Sequence, residues 1–189
     1  MYDVIIIGGG IAGGSAAIYT AYGELSTLVL DTEKSQIHQI SELRNYPGIL
    51  QTTGTKLRQT IKEQAKRFGT QWRTEKVIGI SKHKQHYTVI TEQGNGYEGK
   101  YVIIATNLGT ELLEDLGISL KVNENVPSGK IKEVVGVQFN GRTRLDRLYV
   151  AGLLAGMPSQ SVIASGHGVA VAIQILSREK GKPFMWHDV

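Results

Sequence analysis

The sequence contains no cysteine, which removes a disulfide framework, a thiolate metal site and any dithiol redox centre from this chain. It has no long apolar run either. Glycine or a charged residue interrupts every hydrophobic stretch, well short of the roughly 18 residues that a membrane-spanning helix needs. Met1-Tyr2-Asp3 leads straight into the apolar run Val4 to Ile7, with no basic leader before it. The expectation is therefore a soluble, cytoplasmic chain with no membrane partner. No histidine and carboxylate cluster has ligand spacing, so no metal site is expected. Nucleic-acid motifs are absent too, and a formal net charge of +4 is too small an excess to suggest that partner.

What is present fits one domain spanning residues 1–189: 41% of the chain is apolar and 20% charged, enough to bury a sizeable core. The positive charge is uneven. Lys56, Arg58, Lys62, Lys66, Arg67, Arg73, Lys76, Lys82 and Lys84 crowd one segment against only Glu63 and Glu75. Such a run is ordinarily a solvated helix face, with docking of an acidic redox protein as the functional reading.

Periodicity predicts a strand over residues 2–7, a glycine-rich turn, an alanine-rich helix over Ile11 to Tyr22 closed by Gly23, and a buried strand ending at Asp31. Residues 32–54 have neither period and read as an extended loop. A helix over 55–68 follows, then strand-like runs at Val77-Ile78, Tyr87 to Ile90 and Tyr101 to Ile104, the last two forming a hairpin. A short helix near Glu111 to Leu116, a strand over Arg147 to Ala151 and a helix from Ser165 to Arg178 complete the chain. Strands alternating with helices predict an α/β fold with a parallel sheet covered on both faces.

Gly8, Gly10 and Gly13 form GxGxxG between that first strand and helix, and Asp31 ends the next strand. In this context Gly8 permits a tight turn, Gly10 lets a pyrophosphate approach the backbone, and Gly13 lets helix and strand pack closely. The helix start aims free N–H groups at the phosphates, and Asp31 is placed to accept ribose hydroxyls. Gly94, Gly96 and Gly99 repeat the same spacing, but they lie between strand-like runs with no helix after them and read as turn residues.

Three further places extend the pattern. Gln36-Ile37 precedes Asn45-Tyr46-Pro47-Gly48, a strand ends in Ile104-Ala105-Thr106, and Tyr149-Val150-Ala151-Gly152 precedes Gln160-Ser161-Val162 and Gly166-His167-Gly168. With these the chain resembles the thioredoxin reductase-like flavoproteins of the pyridine nucleotide-disulfide oxidoreductase superfamily, over nearly its whole length. The resemblance implies an FAD/NAD(P)-binding Rossmann-like three-layer fold, with a parallel central sheet and an antiparallel β-meander.

It also implies FAD as cofactor. Gly8, Gly10, Ile11, Ala12, Gly13, Asp31 and Thr32 would hold its ADP half, with Val77 near adenine. Gln36, Ile37, Asn45, Ala105, Thr106, Asn107, Gly152, Leu153, Gln160, Ser161 and Val162 would surround the flavin half. The family inserts an NADPH domain with a Cys-x-x-Cys pair after its Ala-Thr-Gly motif. Here Ala105-Thr106 runs directly into Asn107 to Leu113, which looks like the segment that follows that domain. Asn107 replaces the motif glycine, Leu153 an aspartate and Ser159 a common arginine, leaving fewer polar contacts and one more side chain near the cofactor.

The function implied is an FAD-dependent oxidoreductase that exchanges electrons with an external donor and acceptor, either free NAD(P)H or an acidic redox protein, with a partner or a second subunit, as in a homodimer, to cover the flavin. A non-catalytic FAD-binding subunit or redox sensor is the alternative, and NAD in the single site a third reading. No catalytic residue is assigned. His38 and His167 are candidates for donating a hydrogen bond or proton to the flavin. His83 and His86 read as exposed, and Trp72 and Trp186 as packing groups.

Overall fold

The structure, a computed structural model, describes residues 1–185. Trp186 lies outside them. Strand β1 (Tyr2–Ile7), helix α1 (Ile11–Tyr22) and strand β2 (Thr27–Asp31) form the expected βαβ start. The chain continues through α2 (Gly54–Arg67), β3 (Gln71–Thr74), β4 (Val77–Lys82), β5 (Tyr87–Thr91) and β6 (Gly96–Ile104). After α3 (Glu111–Asp115) come β7 (Leu120–Val122), β8 (Lys132–Val134), β9 (Leu148–Val150) and α4 (Ser161–Lys180). No helix of the described residues is long and apolar enough to cross a membrane.

β1 and β2 are apolar along most of their length because both faces are covered. Val4 and Ile6 pack with Ala12, Ala16, Ala17, Val171 and Ile175 on the side of the helices. Ile5 and Ile7 turn to the opposite face, among Tyr87, Val89, Leu113, Val134 and Leu154. The result is three layers: α1, α2 and α4, then the parallel sheet, then the meander with α3 and the β7–β8 pair.

β3, β2, β1 and β6 pair in parallel in that order, and β9 pairs in parallel with the last residues of β6, Val102 to Ile104. The first residues of β6, Gly96 to Gly99, pair antiparallel with β5, which pairs with β4. One long strand thus belongs to both the parallel sheet and the meander. Gly99 marks the fork, facing Tyr2 on one side and Tyr87 on the other. The second glycine repeat is therefore strand and turn, as expected, with Gly94 at φ +82° in the turn.

Three strands escape the sequence reading. β3 has one apolar residue in four, and it forms because β2 offers an unpaired edge. β7 and β8 are three residues each, below the length at which alternation is visible. The long loop also carries a 3-10 turn at Gln36–Gln39, and α4 begins four residues earlier than the alanine-rich segment suggests. From β1 the chain winds to β2 and β3 on one side, while β6 and β9 lie on the other. That reversal opens a crevice at the carboxyl ends of the strands.

Candidate functional site

A cleft of about 900 Å³ occupies this crevice, within the range of small-molecule and cofactor sites. Gly8 and Gly10 line it from the first turn, with Ile11 and Ala12 of α1. Asp31 and Thr32 follow from the end of β2, Gln36 and Ile37 from the 3-10 turn, and Val77 from β4. Ala105, Thr106 and Asn107 line it after β6, Gly152 and Leu153 after β9, and Gln160 and Ser161 at the start of α4. Residues separated by 150 positions in the sequence thus line one cleft.

Gly13, Asn45 and Val162 are not among the lining residues. A Cβ at Gly13 would overlap the backbone carbonyl of Gly8, so this glycine sets the approach of α1 to β1. Asn45 meets the site indirectly, its Nδ2 donating to Gln160 Oε1 at 3.2 Å. Val162 lies in the first turn of α4 and is exposed.

Both α1 and α4 begin on the cleft. Gly10 and Gln160 are their N-cap residues, neither contributes a side-chain cap, and neither first turn contains an acid. The first-turn N–H groups of a helix have no intrahelical acceptors and carry its positive dipole end. The cleft therefore presents two positive helix ends, one at each side of the switch point. Its floor is tight: Gly8 has φ +102°, and a Cβ there would lie 2.7 Å from the Ala105 oxygen.

Asp31 is buried, and its Oδ1 accepts the Gly9 N–H at 3.0 Å while its Oδ2 pairs with Arg58. Arg58 also donates to the Gly9 carbonyl at 2.9 Å and to Glu33 at 2.7 Å, and Lys62 donates to Glu33 at 2.7 Å. Burial pushes the Glu33 carboxyl up, but hydrogen bonds and charge from Arg58 and Lys62 prevail and hold it at about 2. The basic run is thus partly spent inside the molecule. Arg73 and Lys76 pair with Glu75 and Glu92, at 3.9 and 3.4 Å.

Arg58 was hidden in the sequence among the charges of that run. Its signal was position: Arg58 precedes Ile61 by three and Ala65 by seven, which puts it on the apolar face of α2. Gly9, a free position in the fingerprint, is equally constrained, because a Cβ there would overlap the Trp72 ring and approach Asp31. Trp72 is accordingly a packing group.

The two histidine candidates are not at the cleft. His38 is exposed and its Nδ1 meets Thr55 Oγ1 at 3.0 Å. His167 is buried, its Nδ1 accepting the Gly152 N–H and its Nε2 donating to the Phe139 carbonyl, both at 3.0 Å. Both ring nitrogens are used by backbone, so this side chain anchors the turn after β9 instead of facing a ligand. The departures from the family pattern are also placed. Asn107 Nδ2 donates to Gln36 Oε1 at 3.1 Å across the cleft. Leu153 is buried in the wall, and its carbonyl accepts from Asn123 Nδ2 at 3.0 Å. Asn123, fully buried on the loop between β7 and β8, is a support that the sequence did not disclose.

Residues 3–41 match the FAD binding domain family. The bifunctional thioredoxin reductase/thioredoxin of Mycobacterium leprae is 35% identical over 117 residues, 60% of this chain and 26% of that protein. The thioredoxin reductase of Helicobacter pylori is 40% identical over 111 residues, 56% of this chain and 35% of that protein. The chain thus spans about a third or less of the length of these relatives. In fold, the structure of a thioredoxin reductase from Gloeobacter violaceus superposes with a TM-score of 0.80 at 20% identity, covering 100% of this chain and 98% of that one.

Proposed function

We propose that this chain, which is thioredoxin reductase-like in sequence and fold and FAD-binding by family, works as an FAD-dependent oxidoreductase domain spanning residues 1–189, with electron donor and acceptor outside it. The observation that supports this best is the pair of uncapped, acid-free helix starts, α1 and α4, opening on one cleft. A ligand with a pyrophosphate at one end and an electron-accepting ring at the other satisfies both. Bound flavin would supply the electron transfer itself.

The chain's residues bind and orient. Gly8, Gly10, Ile11 and Ala12 offer backbone to the pyrophosphate, with Gly13 holding α1 in place. Asp31, Thr32 and Val77 border the adenosine end. Gln36, Ile37, Ala105, Thr106 and Asn107 form one wall of the flavin end, with Gly152, Leu153, Gln160, Ser161 and the first turn at Val162 opposite, steadied by Asn45. Leu153 keeps water from that wall, and the start of α4 favours negative charge on the ring edge it faces.

No cysteine is present, so a disulfide acceptor, if that is the physiological one, supplies both of its sulfurs from outside these residues. The direct run from Thr106 to Leu113 supports the reading that the NADPH domain is missing. Free NAD(P)H or an acidic redox protein then serves as partner. Leu108, 58% exposed at the cleft rim, supports a second copy covering the open end, and a cytoplasmic setting belongs to the same reading. Leu153 also favours a second reading, an FAD-binding subunit or redox sensor without turnover, because an apolar residue stands where the family has an aspartate.

The visible spectrum of the protein reconstituted with FAD, taken before and after anaerobic NADH and NADPH, tests these readings. Flavin bands that bleach on addition support the oxidoreductase with a nicotinamide donor. Bands that persist with every donor, protein donors included, favour the subunit or sensor. A protein that stays colourless overturns both.

A further inference from the structure

Arg58 holds a position that ion pairing alone does not explain. Its side chain is 3% exposed, and it closes a ring of three groups. Gly9 N–H donates to Asp31 Oδ1, Arg58 Nη2 pairs with Asp31 Oδ2, and Arg58 Nε donates to the Gly9 carbonyl. The Gly9 residue is therefore gripped at both its N–H and its C=O, from the end of β2 and from α2. Its neighbours Gly8 and Gly10 line the cleft.

The peptide group joining Gly9 to Gly10 is planar and trans, so its C=O and N–H point in opposite directions. Drawing the Gly9 carbonyl toward buried Arg58 turns the Gly10 N–H the other way, toward the cleft that Gly10 lines. Arg58 also cancels the charge of Asp31, which would otherwise repel a pyrophosphate on the neighbouring turn. Its remaining amino group is fixed by Glu33 at 2.7 Å, so the planar fork cannot swing.

We propose that Arg58 is a positioning residue for the adenosine and pyrophosphate half of the cofactor, aiming the Gly10 amide and neutralising Asp31. This rests on the reading that FAD occupies the cleft. The guanidinium suits the task because one rigid plane reaches three acceptors at once, whereas a lysine ammonium is a point charge on a flexible stem.

The test compares FAD, ADP and FMN binding by the wild type and Arg58→Lys, with the melting temperature of each apoprotein measured in parallel. Lysine keeps the charge opposite Asp31 but cannot make all three bonds, so FAD and ADP each bind about tenfold more weakly, the loss of one charge-assisted contact. FMN, which lacks the adenosine half, binds as it does to the wild type. A purely structural role would lower the apoprotein's melting temperature and leave the dissociation constants of the folded protein unchanged. Equal FAD and ADP affinities in the two proteins, or a loss confined to FAD and FMN, would overturn the assignment while leaving the cofactor site intact. A wild type that binds neither FAD nor ADP would instead overturn the site reading, and the role of Arg58 with it. Should Arg58→Lys fail to fold, the double variant Arg58→Met/Asp31→Asn, which leaves no buried unpaired charge, is compared with Asp31→Asn alone. Affinity for ADP lost beyond that of the single variant supports the proposal, and equality refutes it.

Discussion

His167 shows how a residue that reads as a functional group can serve the backbone. Burial pushes its imidazolium pKa below the ordinary 6.5, against the opposing pull of the bond to the Phe139 carbonyl. The neutral ring is required, because Nδ1 must accept from Gly152. The unfolded chain thus binds a proton that the folded chain resists, and stability falls as pH drops from about 6.5 toward the lowered folded value. His167→Gln is expected to cost about 2 kcal/mol at neutral pH, through bonds lost to a buried backbone N–H and a part-buried carbonyl, and to flatten this decline. Melting temperatures of both proteins between pH 5 and 8 check it; parallel curves would mean that another group titrates.

Among the elements, α1 and α4 cross where small residues let their backbones meet. A Cβ at Gly168 would overlap the Ala12 carbonyl, and one at Gly13 the Gly8 carbonyl. Ser15 and Ser165 link the two helices with hydroxyls 2.9 Å apart. Gly13→Ala is expected to destabilise by about 3 kcal/mol, since backbone has to move. Gly166→Ala, exposed with open space at its Cβ, should stabilise α4 by about 0.5–1 kcal/mol. Thermal unfolding of the two variants against the wild type separates the cases. The fingerprint helix was legible because its glycines mark where a side chain does not fit. β3 was not, because an edge strand of polar residues exists through its partner and carries little pattern of its own.

For the whole molecule, the cleft joins the two halves of the chain, so a ligand filling it ties α1, β6 and α4 together. A ligand that binds only the folded state at a hundredfold excess over its dissociation constant adds about 2.7 kcal/mol. For a chain of this size that is a rise of about 5 to 11 °C in melting temperature. FAD is expected to produce such a shift and adenosine a smaller one at the same concentration, read by far-ultraviolet circular dichroism during heating. No shift with FAD would mean that the folded chain does not bind it at that concentration.

The sequence by itself determined the βαβ start, the true fingerprint among two candidates, and the resemblance that carries FAD, because these rest on local patterns: glycines at fixed offsets, short apolar runs and short motifs beside strand ends. Only the tertiary structure decided what those residues touch. It placed Arg58 beneath the glycine turn, committed both nitrogens of His167 to backbone, brought Asn107 against Gln36 across the cleft, and set Asn123 under Leu153. Such contacts join residues 15 to 71 positions apart. They depend on where separate elements meet in space, and no local spacing encodes that meeting.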